Sequence, residues 1–245
     1  MTQNIYDDEV FFKNYADLPR SKYGHDGAPE WPVMLSLLPE LQGKRVADLG
    51  CGYGWFCRYA RDMGSSQILG LDVSQKMLEK AHQMGADGIT YSRQDLETLL
   101  LPENSYDLVY SSLTLHYLEN LQGVLKTILA SLVSGGYFIF SAEHPIFTAP
   151  SSPDWTIDNS GRKSWPVNDY QLEGQRVSNW MAEGVIKQHR TLGTYIDLLV
   201  SAGFMVKRLV EWGPSAEQIA TLPALDEEKE RPMIFLMSCQ KHDRY

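Results

Sequence analysis

Arg45-Val-Ala-Asp-Leu-Gly-Cys-Gly-Tyr-Gly-Trp-Phe56 is the stretch on which the reading of this 245-residue chain turns. Arg45 to Leu49 is a short β-type run that ends at Gly50, and Trp55 to Met63 has helical character. Between them stands a G-x-G-x-G loop. Gly50 and Gly52 permit a tight turn and a close backbone approach to a ligand. The helix that follows would aim its free N–H groups at that ligand. A single Gly-x-Gly is also what an ordinary strand-to-helix turn needs, so the loop alone is weak evidence. Two carboxylates sharpen it. Asp48 lies just inside the loop, and Asp72 ends the next strand about 20 residues on, where a carboxylate can accept from both hydroxyls of a ribose.

The loop also says which nucleosides fit poorly. A dinucleotide fingerprint places its third glycine for close helix–strand packing. Trp55 stands at that position here, with Gly54 one place early. No G-x-x-x-x-G-K-[ST] phosphate loop occurs. A ligand with a ribose and no pyrophosphate suits the loop better.

Outward from the loop, strand and helix patterns alternate. Strands are predicted at Ile68–Asp72, Ile89–Arg93, Tyr106–Ser111 and Tyr137–Ser141. Ser74 caps a helix to about Met84, and Leu121–Leu132 has helical spacing, with Gly135-Gly136 in the turn after it. An earlier helix is expected over about Ala28–Leu38, with Pro29 and Pro32 in its first turns. Such alternation argues for a mostly parallel sheet covered on both faces. After Pro145 the rhythm breaks into a segment rich in Ser, Pro, Asp, Asn and Trp, read as a cap-like insertion over about 145–187. Arg176–Arg190 reads as a hairpin with Glu183-Gly184 at its turn. A helix over Thr191–Ala202, stopped by Gly203, and strands at Phe204–Trp212 and Met233–Gln240 complete a seven-strand count within one domain, 1–245.

The order of these motifs resembles the class I S-adenosylmethionine-dependent methyltransferases, in particular small-molecule, type 11-like members. VADLGCGYG is similar to their first motif, and LGLDVSQKML to the second, with its acid at Asp72. RQDLETL resembles the segment lining the adenine pocket, and YDLVYSSLTLHYLEN and SGGYFIFSAEHP resemble the fourth- and fifth-strand motifs. The resemblance implies a Rossmann-like, doubly wound, seven-stranded α/β sheet, mostly parallel with an antiparallel C-terminal strand. It implies S-adenosylmethionine as cofactor, with S-adenosylhomocysteine as product. Asp48, Gly50, Cys51 and Gly52 would then hold the methionine portion, and Asp72 the ribose. Val73 and Met77 would flank the adenine, although Met77 equally suits plain helix packing. Asp95 would accept from the adenine amino group and the Leu96 amide would meet a ring nitrogen, while Asp95 also suits a helix cap. Ser111 and Ser112 would face the crevice at the strand ends, and Tyr15 would fold over the cofactor. Arg20 could pair with a carboxylate, but a solvated surface arginine is the commoner case.

A sulfonium methyl is already activated, so the protein chiefly has to align the acceptor and exclude water. An oxygen or nitrogen acceptor that carries a proton still needs somewhere to send it; carbon stays open as a third acceptor atom. Among six histidines, His144 and His116 follow the fifth and fourth strands and are the candidate bases, His144 first. A hydrogen-bonded structural histidine is the competing role for each. His189 is a third choice. Trp31, Phe147, Trp155, Trp165, Tyr170 and Trp180 flank the expected crevice and suit an apolar or aromatic small molecule, or form the cap's own small core.

Composition bounds the rest. A net charge of −9 with no clustered Lys and Arg disfavours nucleic acid. The fourth strand ends in YSSL rather than [DN]-P-P-[YF], which points the same way. Three scattered cysteines and no CxxC disfavour a disulfide framework and a structural zinc, and no other spacing offers a metal site. No membrane association is expected, and a cytoplasmic location is. A small-molecule methyl acceptor is the expected partner; oligomeric state is not encoded legibly. A nicotinamide-dependent oxidoreductase and a noncatalytic S-adenosylmethionine-binding protein are the alternatives.

Overall fold

The chain alternates between elements because its apolar residues switch period, and the two faces of the sheet show it. The structure, a computed structural model, describes residues 3–242. Strand β1 (Arg45–Leu49) sends Val46 to one core and Ala47 and Leu49 to the other. Strands β2 (Gln67–Asp72), β3 (Thr90–Arg93), β4 (Tyr106–Ser112) and β5 (Leu132–Glu143) extend the parallel sheet on both sides of β1. Farther along the chain, β6 (Thr156–Ile157), β7 (Lys163–Ser164), β8 (Gly174–Trp180) and β9 (Ala182–His189) build two separate hairpins, and β10 (Phe204–Glu211) and β11 (Ile234–Lys241) return to the main sheet. The seven-stranded order is β10-β11-β5-β4-β1-β2-β3. Only β11 runs against its neighbours, β5 and β10. The doubly wound α/β sheet with an antiparallel C-terminal strand is therefore present as expected.

Helices α1 (Glu9–Ala16), α2 (Pro19–Tyr23) and α3 (Trp31–Leu37) precede the sheet. Helices α4 (Trp55–Asp62) and α5 (Gln75–Gln83) follow β1 and β2, and α6 (Leu121–Ser131) follows β4. The short α7 (Pro145–Thr148), then α8 (Leu192–Ala202) and α9 (Ala216–Thr221), complete the set. One core packs α6 and α8 against Phe138, Phe140 and Phe235. The opposite core packs α3 and α4 against Val46, Leu108, Ile139 and Leu236. Each buried side chain of that size contributes about 1.5–3 kcal/mol over its exposed state. Among the described residues no helix is long and apolar enough to cross a membrane.

Three local expectations change. The helix predicted from Ala28 begins at Trp31, because Pro29 falls in the turn before it and Pro32 takes the first turn. Gly135-Gly136 do not end a turn. They form a bulge inside β5, whose register against β4 jumps from Tyr106↔Leu132 to Leu108↔Tyr137. The hairpin β8–β9 turns at Met181 rather than at Glu183-Gly184, with Trp180 paired to Ala182. Gly184 is instead held by a hydrogen bond from its N–H to the Asn179 side chain, 3.2 Å, beside a register shift.

Candidate functional site

From β1 the chain runs outward one way to β2 and β3 and the other way to β4 and β5. A crevice therefore opens at the carboxyl ends of β1 and β4, where such sheets collect ligands. It holds a cavity of about 470 Å³.

The glycine loop forms one wall. Backbone N–H groups of Gly50 and Cys51 both donate to the Leu71 carbonyl, at 2.8 and 2.9 Å, so the loop is pinned to the end of β2. Gly50 adopts φ +76°, and a Cβ there would stand 2.2 Å from the Thr114 hydroxyl. Gly52 adopts φ +52°, and a Cβ there would meet no atom within 4 Å. Its N–H donates to Asp72 Oδ2 at 2.9 Å. The other Asp72 oxygen accepts from the Ser74 N–H at 2.9 Å. Burial pushes the Asp72 carboxyl up to about 6, against the pull of the hydrogen bonds from Ser74 and Gly52. Burial likewise pushes Asp48 up to about 7, with the Cys57 thiol donating to it at 3.4 Å.

Asp48, Gly50, Cys51, Gly52, Asp72, Val73, Met77, Leu96, Ser112, His116 and Tyr15 all line the cavity. Ser111, Asp95, His144 and His189, also predicted from sequence, do not. Ser111 is fully buried and donates to the Leu49 carbonyl at 2.8 Å, tying β4 to β1. Asp95 accepts from the Glu97 N–H at 3.1 Å and caps the 3-10 turn Leu96–Thr98. His144 sits on the far side of the strand end: Nε2 lies 2.8 Å from Glu211, and Nδ1 accepts from the Ile146 N–H at the start of α7. Burial lowers its pKa, against the pull of Glu211. His189 bonds Thr148 and the Tyr170 carbonyl, away from the cavity.

His116 is the histidine of the two that reaches the crevice. It is 1% exposed, and burial pulls its pKa down to about 4, so its ring is neutral at pH 7. Nδ1 accepts from the Glu143 N–H at 3.4 Å, and Nε2 stands 3.9 Å from Glu143 Oε1.

The N-terminal helices close the cavity from above, on the side where the resemblance set Tyr15, although the long-range contacts that hold them have no local signal in the sequence. Asp7 accepts from the Ser74 hydroxyl (2.6 Å) and from the Lys76 and Gln75 N–H groups at the start of α5. Gln3 pairs with Gly184 and Ile186 of β9, both at 2.9 Å, and Asn14 donates to the Met181 carbonyl at 2.8 Å. The lid is thus laced to the insertion hairpin. Arg20 is not a solvated surface residue: it lines the cavity and forms a two-point pair with the buried Glu30, at 2.9 and 3.3 Å. Of the six flanking aromatics, Trp31, Phe147 and Trp180 line the cavity. Trp155 and Trp165 instead pack with Phe147 around the Arg231 guanidinium, 4.1 Å over Trp165.

A buried carboxylate facing a cavity, beside a glycine whose missing side chain leaves open space, has the acceptor atoms and the room that a ribose would need. The raised Asp72 pKa sets a pH dependence. Its folded value lies above the ordinary carboxylate value, so with Asp72 as the ribose acceptor proton binding would compete with the ribose hydroxyls below about 6. S-adenosylhomocysteine is expected to bind about tenfold more weakly at pH 5 than at pH 7.5 by calorimetry. A flat profile would show that Asp72 is not the ribose acceptor. Among the described residues no group of three or more His, Cys, Asp or Glu side chains is arranged to hold a metal ion.

Comparison with known proteins places this geometry. The family described as a methyltransferase domain matches residues 47–140. An S-adenosylmethionine dependent methyltransferase from Mesorhizobium loti is 49% identical, with a TM-score of 0.86 over 89% of this chain and 100% of that one. A Haemophilus influenzae protein is 35% identical over 85% of each chain. A malonyl-[acyl-carrier protein] O-methyltransferase from Enterobacter lignolyticus is 35% identical over 59% of this chain and 53% of its own. Of the nucleotide cofactors the loop left open, the cofactor is therefore S-adenosylmethionine, and the chain belongs to the class I S-adenosylmethionine-dependent methyltransferases.

Proposed function

We propose that the chain methylates an oxygen or nitrogen atom of a small molecule held in the aromatic half of the cavity. One observation carries this: the cavity is continuous from the glycine loop and Asp72 to a wall of Trp31, Phe147, Trp180 and Trp212, under a lid laced to the insertion. That enclosure suits two molecules side by side, with water kept out.

When bound, the cofactor supplies an electrophilic methyl on sulfonium. The chain's own residues do the rest. Asp72 accepts from the ribose hydroxyls, and the wall of Val73, Met77 and Leu96 packs against the adenine. Asp95, which stands outside the cavity lining, caps the turn that presents Leu96 to the adenine. Asp48, Gly50, Cys51 and Gly52 line the methionine end, and Tyr15 and Arg20 come from the lid. Ser112 bonds Ser141 at 3.1 Å and fixes the end of β4 beside the reacting atoms, whereas Ser111 supports the strand from behind. His116 takes the acceptor's proton at Nδ1, giving up the long bond from the Glu143 amide, and the carboxylate near Nε2 offsets the new charge. His144, paired with Glu211, holds the β5–α7 corner. Residues 1–245 act as one domain, with 145–187 as the cap over the acceptor.

The test is turnover of S-adenosylmethionine to S-adenosylhomocysteine across a panel of phenols, alcohols, amines and carboxylic acids, with malonyl-carrier protein included because a relative acts on it. Turnover with a free small molecule is expected. Turnover with the carrier-bound acid alone would overturn the free small-molecule reading.

A further inference from the structure

Glu143 is the last residue of β5, and strand alternation turns its side chain into the cavity while His144 turns away. One of its oxygens is fully engaged: Oε1 lies 2.6 Å from the Lys187 ammonium and 3.9 Å from His116 Nε2. The other, Oε2, is buried and has no hydrogen-bond partner among the described residues. Leaving a buried carboxylate oxygen unmatched is expensive, on the order of 1–3 kcal/mol or more for a charged group. Lys187 is itself only 5% exposed and lies 5.0 Å over the Trp180 ring, so the pair is rigidly set rather than a mobile surface contact.

The other charges around the cavity narrow the ligand. Arg20 already faces Glu30, and Arg231 already faces Glu228, at 2.9 and 2.6 Å. Glu30, Glu143 and Glu228 all line the cavity. A carboxylate acceptor would enter among three carboxylates that each face their own cation; Arg231 Nε, which has no hydrogen-bond partner among the described residues, does not line the cavity. A hydrogen-bond donor would meet one oxygen ready to accept.

We propose that Glu143 Oε2 receives a hydroxyl or amine N–H of the methyl acceptor other than the one whose proton passes to His116, making this cavity selective for donor-bearing acceptors over carboxylic acids. This rests on the small-molecule reading above. It also separates the chain from the malonyl-carrier relative, whose acceptor is an acid by its name.

Matched compounds on aromatic and straight-chain skeletons would be titrated into the S-adenosylhomocysteine complex by calorimetry: alcohol, amine, carboxylate and methyl ether. Alcohols or amines are expected to bind at least tenfold more tightly than their acid and ether counterparts. Glu143→Ala should erase that preference, while S-adenosylhomocysteine affinity stays within about twofold of wild type and confirms a folded cofactor site. Should Glu143→Ala lose its fold, Glu143→Gln tests the same point, since it is isosteric and should weaken amines more than alcohols. A preference for carboxylates, or a donor preference untouched by both variants, overturns the assignment of Glu143 alone. Failure of every small compound to bind the complex overturns the small-molecule reading and this assignment with it.

Discussion

Replacing Gly50 with alanine is expected to destabilise the fold by about 3 kcal/mol. Two separate physical effects add at this position. The left-handed conformation, φ +76°, costs an L side chain about 1–2 kcal/mol. The new Cβ would also stand 2.2 Å from the Thr114 hydroxyl and 2.6 Å from its methyl, an overpacking that typically costs about 1–3 kcal/mol. In a chain of this size that corresponds to a melting temperature roughly 6–12 °C lower by calorimetry. The clash and the strain can be separated. A Thr114→Ala background removes the two nearest atoms and should recover part of the loss, as a double-mutant cycle would record. Gly52→Ala provides the contrast. A Cβ there meets nothing within 4 Å, so strain alone remains, yet the methyl would stand in the space assigned to the cofactor. Gly50→Ala should therefore act mainly on stability and Gly52→Ala mainly on S-adenosylhomocysteine affinity. Equal, sub-kilocalorie effects on stability would contradict this picture of the loop.

The second large effect is expected at His116. A positioned general base contributes about 10²–10⁴-fold to a proton-transfer step. His116→Gln keeps polar atoms near the Glu143 amide but cannot take up a proton at neutral pH. It should lower kcat about 100-fold with an acceptor that carries a proton, with cofactor affinity nearly unchanged. Burial sets the ring's pKa at about 4, so the free enzyme should hold its base form down to that pH, and an acid limb governed by His116 should appear near it. His144→Gln serves as the comparison. His144 holds Glu211 at 2.8 Å and caps α7, so its replacement should affect stability more than rate. A loss of under threefold in kcat at His116 would remove it as the base.

Much of the fold was legible because each strand's short apolar run and each helix cap acts locally. Ser74 accepts from the Met77 N–H, and Gly203 takes φ +108° at the end of α8, as the sequence indicates. The glycine loop and Asp72 were legible for the same reason, since a turn and the residue that follows it are close in sequence. What could not be read depends on long-range contacts. Nothing in Gln3 or Asp7 announces a partner in β9 or α5. Arg20 reads as a surface residue until α3 brings Glu30 against it. His144 follows the fifth strand and so reads as a crevice residue, and only the pleat of β5 turns Glu143 into the cavity and His144 away from it. The bulge at Gly135-Gly136 and the turn at Met181 show the limit of glycine as punctuation: a glycine can serve a bulge as readily as a turn.

Calorimetry with S-adenosylmethionine on the wild-type chain and on Asp72→Ala addresses the cofactor cradle most directly. Dissociation constants in the micromolar range are expected for the wild type, weakened at least tenfold, about 1.4 kcal/mol, by the substitution. Equal affinity in the two proteins would contradict the ribose assignment, and a wild-type chain that ignored the sulfonium nucleoside while binding a nicotinamide dinucleotide would contradict the cradle as a whole.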